Sequence, residues 1–129
     1  MAMPATRTRY LAAAFGTIAL GLAVHQFGTG LGPSARDVAG DALWAMMMTW
    51  WVSALYPSAR LWLRGGSALA ICFAVETSQL YHTPALDAMR GTFIGSLTLG
   101  SGFDPRDFLS YTLGVLVAAL LEWTVARRR

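Results

Sequence analysis

Residues 67–81 read Ser-Ala-Leu-Ala-Ile-Cys-Phe-Ala-Val-Glu-Thr-Ser-Gln-Leu-Tyr, an apolar run that carries one acid, Glu76, shortly before Tyr81 and Pro84. Taken back to Arg64, the run has the length and character of a bilayer-spanning helix, which needs about 20 mostly apolar residues. A charged carboxylate inside a span costs about 2.5–3.5 kcal/mol at the bilayer centre and less toward the interface, so something must offset it. Cys72, Glu76, Gln79 and Thr83 are spaced by four, three and four residues and so share one helix face, directed into a bundle. The alternative reading keeps Glu76 hydrated near the headgroups, with Tyr81 marking the interface about a turn and a half away.

Three further runs flank this one. The first covers residues 10–27, after Arg7 and Arg9; the second covers 41–56, through Trp44, Met46, Met47, Met48, Trp50 and Trp51 to Pro57; the last covers 107–125 and ends in Arg127, Arg128 and Arg129. With 64–81 they make four spans in a single domain of 129 residues. A chain that is 55% hydrophobic and 13% charged, with a mean hydropathy of +0.46, exposes apolar surface that needs lipid. The expected fold is therefore all-α: a polytopic membrane protein, a four-transmembrane-helix bundle with a short helix or partly embedded loop between helices 3 and 4. A signal peptide is the rival reading of the first run, but the small residues Gly32 to Ala35 lie too far beyond its apolar core for ordinary cleavage.

All ten basic residues are arginines, and the net charge is +3. They cluster at the ends of apolar runs, a distribution set by membrane orientation and not by nucleic-acid binding. Arg7 and Arg9, then Arg60 and Arg64, then the C-terminal triplet fall on one side only if there are four spans. Both termini are then cytoplasmic, in a bacterial inner membrane. The single cysteine, Cys72, excludes an intramolecular disulfide and reads as a small buried hydrophobe.

With this orientation His25, Asp37, Asp41, Glu76, His82, Asp87, Arg90, Asp104, Arg106 and Asp107 gather at the outer face, and Glu122 stands apart, pairing locally with the cytoplasmic arginines. Between the third and fourth spans, Thr83 reads as an N-cap with Pro84 at N1 of a short helix closed by Gly91, which sets Asp87 and Arg90 one turn apart. Arg90 is expected to reach Glu76, and residues 92–103 to form an uncharged loop or short helix in the bundle mouth. Asp104-Pro105-Arg106-Asp107 is an ordinary helix start, and Asp41 is read equally as a cap of the second span or as a site residue. Asp107, Tyr111, Gly114 and Ala118 share a face whose small residues permit close helix approach.

No metal is expected: His25 and His82 lack His-x-x-x-His or Glu-x-x-His company, and the methionines read as packing. No phosphate loop, nucleophile elbow or cofactor motif is present in the sequence.

Gly40-Asp41-Ala42-Leu43-Trp44, Glu76-x-x-Gln79-Leu80-Tyr81, Arg90, and Asp107-x-x-x-Tyr111-x-x-Gly114 together resemble a family of small bacterial membrane proteins, domain of unknown function 2809. That family is similar to the VanZ-like proteins, which show Asn where this chain has Tyr111. The resemblance implies a cell-envelope protein, linked in some members to glycopeptide resistance, and implies no established reaction.

The leading expectation is a binding module in which Asp41, Glu76, Gln79, Arg90, Asp107 and Tyr111 hold the headgroup of a membrane lipid, a lipid-linked molecule or a small polar ligand, with Arg90 as a phosphate fork. The alternatives are an enzyme using Glu76 as general acid or base, a small proton-coupled transporter, and a polar knot that only fixes helix register. Four short helices bury little surface, so a homo-oligomer is a further expectation.

Overall fold

A computed structural model describes residues 4–95 and 104–127. The described residues are helical almost throughout: α1 (Pro4–Phe27), a 3-10 turn (Gly28–Leu31), α2 (Pro33–Leu55), α3 (Leu61–Ser78), the short α4 (Pro84–Arg90) and α5 (Asp107–Arg127). Central α2 packs against α1, α3 and α5, and α3 also packs against α5. Two of these helices, over Thr6–Phe27 and Asp107–Val125, are long and apolar enough to cross a membrane.

Small side chains fill the seams. Ala45 and Ala68 pack with Cys72, Val52, Tyr111 and Val115, while Ala14 and Ala118 meet Trp50. A Cβ on Gly114 would overlap the Ala42 carbonyl, so α2 and α5 touch backbone to backbone there. Large apolar side chains point outward: Phe15 and Leu20 on α1, Leu55 on α2, Trp62 on α3, and Leu109, Leu116 and Leu120 on α5 are all exposed. This inverts the usual distribution in water and suits a surface solvated by lipid tails. Within the helices, Thr17, Thr49 and Thr112 return their hydroxyls to carbonyls four residues back, at 2.7–2.9 Å, and so bury no unpaired polar group.

Several expected boundaries move: α1 begins at Pro4 and not at 10, α3 ends at Ser78 and not at 81, and two helix starts shift in ways that bear on the site. The second helix begins at Pro33, not near Asp41. Gly32 supplies a φ of +83°, which favours glycine, and Pro33 sits at N1, so the helix starts in a polar stretch that a hydrophobicity reading assigns to the connection. Asp41 is therefore more than two turns inside α2 and is no cap. The third helix begins at Leu61, which places Arg64 on the helix and not in the loop. Elsewhere the local reading holds. Thr83 caps α4 by accepting the Leu86 N–H at 3.1 Å, Pro84 follows at N1, and Gly91 closes the helix. Of the expected loop over 92–103, residues 96–103 lie outside the described residues.

Candidate functional site

Glu76 lies in the last turn of α3 with its side chain fully buried. Its carboxylate has two donors: the Tyr111 hydroxyl reaches Oε2 at 2.8 Å from α5, and the Asp104 backbone N–H reaches Oε1 at 2.7 Å. A buried carboxylate held by neutral donors is anchored, and it fixes the entry of the chain into α5. Beside it, Asp41 on α2 and Asp107 at the start of α5 lie near enough to each other and to Glu76 for their charges to repel. The Gly114–Ala42 approach brings these carboxyls together by closing α5 onto α2. Neither Asp41, Asp107 nor Glu76 forms an ion pair among the described residues.

Arg90 does not join them. Its side chain is buried, but its guanidinium donates to the Tyr81 carbonyl at 2.9 Å and the Ser78 carbonyl at 3.0 Å, and approaches Asp87 at 3.6 Å. The last carbonyls of a helix lack intrahelical partners, and α4 folds back to deliver an arginine to them. The expected Arg90–Glu76 contact is thus replaced by a clasp on the end of α3, with Arg90 Nε unpartnered among the described residues. His82 and Asp87 pair with each other at 3.0 Å on the surface. Asp104 accepts the Arg106 backbone N–H at 3.0 Å and its guanidinium at 3.1 Å. These bonds hold the Asp104 carboxyl below its ordinary value.

Next to the carboxyls opens a cavity of about 1270 Å³ between α1, α2, α3 and α5. Asp41, Asp107, Gln79 and Tyr111 line its polar end; Glu76 and Arg90 do not line it. Its walls become apolar away from the mouth, with Ile18, Leu22, Met47 and Trp51, and it reaches as deep as Thr17. At the rim Arg36 is tied to the His25 carbonyl, and the His25 ring sits against Phe93 at 5.9 Å.

The sequence matches a family described as a protein of unknown function, DUF2809, over residues 32–115. The chain belongs to this family. It is a DUF2809 protein, bacterial and membrane-associated. The matched segment contains Asp41, Glu76, Gln79, Arg90, Asp107 and Tyr111, and leaves out α1 and the last part of α5. No solved structure matches the chain.

The DUF2809 protein holds a second polar centre that the sequence reading missed. At the opposite end of the bundle Arg64, buried on α3, donates to both oxygens of Glu122 on α5, at 2.8 and 2.9 Å. The same guanidinium reaches Ser53 Oγ of α2 at 2.9 Å, the Tyr10 hydroxyl of α1 at 3.2 Å and the Ala59 carbonyl at 2.8 Å; Tyr10 also donates to Glu122. Glu122 therefore pairs across the bundle with Arg64, while the side chains of the terminal arginines lie outside the described residues. The signal was present: one acid and one base, each alone in an apolar stretch, at the same end of antiparallel helices.

Proposed function

We propose that this DUF2809 protein crosses the bacterial inner membrane four times, with α1, α2, α3 and α5 as spans and both termini cytoplasmic, and that it is a binding module for an amphiphile of the cell envelope. The outward apolar side chains on all four helices support the spans. Arg7, Arg9 and Arg60, at the start of α1 and in the α2–α3 connection, support the orientation. The observation that carries the binding reading is the cavity: apolar walls suited to a tail run up to a polar end made by Asp41, Asp107, Gln79 and Tyr111.

That polar end selects the headgroup. Asp41 and Asp107 form no ion pair among the described residues and so favour amine or hydroxyl donors, while the arginines that would grip a phosphate are engaged: Arg36 by the His25 carbonyl, Arg106 by Asp104 and Arg90 by the end of α3. Glu76 is sealed from the cavity and acts through Asp104 and Tyr111, which both line it. A general acid or base must reach its substrate, so this geometry favours binding over catalysis by Glu76.

The test is to purify wild type and Asp41→Asn in mild detergent and compare the bound lipids by mass spectrometry. Enrichment of an amine- or hydroxyl-bearing lipid in wild type, lost in folded Asp41→Asn, supports the reading. The same bulk lipid in both overturns it.

A further inference from the structure

The deep end of the cavity is closed in a particular way. Beyond Thr17, Tyr10 stacks on the buried Trp50 at 6.2 Å, while Phe15, facing outward, meets the Trp51 ring edge-on at 5.4 Å; the Tyr10 and Trp50 rings lie on the inner side. Beneath them lies the Arg64 centre, which takes one side chain from each long helix: Tyr10, Ser53, Arg64 and Glu122. Seven residues of helix separate Thr17 from Tyr10, about 10 Å at 1.5 Å per residue. A short plug therefore stands between the cavity and the far side of the bundle.

The chemistry of that plug is informative. A buried ion pair is a weak source of stability, because desolvation offsets most of the attraction and packed apolar residues do as well. What an ion pair has, and an apolar plug lacks, is a second acceptable state. If α1 and α5 part at this end, Arg64 and Glu122 meet water and regain hydration in place of each other. An apolar plug would only expose hydrocarbon. Every partner of Arg64 sits on a different segment, so separating the helices breaks the centre as a unit.

We infer that the Arg64–Glu122 centre is a gate, closed in this structure, at the blind end of the cavity, and that the protein is a carrier open at its Asp41 end. The inference needs the cavity but not the identity of its occupant. Transport by alternating access requires a site between two closures that are not open together. Here the cavity supplies the site and the Arg64 centre one closure, and the Asp104–Glu76 contact places the start of α5 where a second closure over the mouth would form.

The experiment uses the full chain reconstituted in liposomes that hold a pH-sensitive dye and an imposed pH gradient, with a potassium ionophore to balance charge. Wild type should hold the gradient as protein-free vesicles do, because one closure is always shut. Arg64→Gln and Glu122→Gln, each shown folded by thermal unfolding, should dissipate it at least several-fold faster. The double variant Arg64→Leu/Glu122→Leu should restore the seal. Should the single variants fail to fold, Tyr10→Phe removes only the hydroxyl shared by both partners and should still raise the leak measurably. Folded variants as tight as wild type, or an unchanged leak in Tyr10→Phe, would overturn the gate and leave a structural tie; a wild type that leaks would also overturn it. The lipid comparison with Asp41→Asn reads the other end of the cavity and is unaffected by either result.

Discussion

The two ends of the bundle handle charge in opposite ways. At one end Arg64 and Glu122 face each other with matched charge, and Ser53, Tyr10 and the Ala59 carbonyl take further donors of the guanidinium. At the other end Asp41, Asp107 and Glu76 come together beside an open cavity with no ion pair of their own among the described residues, although Arg106 stands near Asp107. Matched groups need nothing from outside. Carboxyls left beside a cavity wall have acceptor capacity for a ligand, so the difference is in line with the proposed closure at one end and the proposed recognition at the other.

Removing half of the matched pair should have the largest effect. Glu122→Ala leaves a buried guanidinium unpaired and is expected to cost about 3–5 kcal/mol of stability, read by thermal or denaturant unfolding in detergent. Asp41→Asn at the other end should cost far less on the same assay. Equal losses would erase the distinction between the ends. Gly114→Ala comes next: its Cβ overlaps the Ala42 carbonyl, so α5 must move off α2, at a cost of about 1–3 kcal/mol for overpacking. The carboxyl cluster should loosen with it, seen as faster hydrogen exchange of the Asp104 amide.

Tyr111→Phe sharpens the comparison within the mouth itself. It leaves Glu76 Oε2 without its donor and should cost about 1–3 kcal/mol. Glu76→Gln should cost less, because its amide oxygen can keep the Asp104 N–H while its NH2 donates to the Tyr111 oxygen. If the order of these two variants reversed, Glu76 would be doing more than anchoring α5.

The smallest effect concerns pH. The Asp104 carboxyl lies below its ordinary value because Arg106 hydrogen-bonds to it. Its contribution is therefore present above the ordinary carboxylate range and fades as pH falls through the lowered folded value. Both groups are solvent-exposed, so the acid limb of a stability profile should flatten only slightly in Arg106→Ala.

Much of this was legible one helix at a time. Thr83-Pro84 opening a short helix, Gly91 ending it, and the small-residue face of Tyr111, Gly114 and Ala118 all follow from spacings within a turn or two. Asp41, Glu76 and Asp107 were expected to gather at one end of the bundle and do so, and Glu76 was recognised as the acid needing partners. The start of α2 was misplaced because hydrophobicity reports where a helix becomes apolar, whereas Gly32 and Pro33 set where it begins. Arg90 was assigned to the nearest acid, although the carbonyls ending α3 were the stronger acceptor set for a fork arriving from α4.

By itself, then, the sequence determined the existence of the four long helices, the Thr83 cap of α4 and the unusual acid in α3, since each depends on residues within a few positions of one another. Only the tertiary structure decided which charge meets which. A side chain turns by about 100° for each residue along a helix, so a shift of one or two residues, or a small rotation of a neighbour, exchanges one partner for another. Arg64 and Glu122 are 58 residues apart, and packing about α2 brings them to the same depth, each turned toward the other.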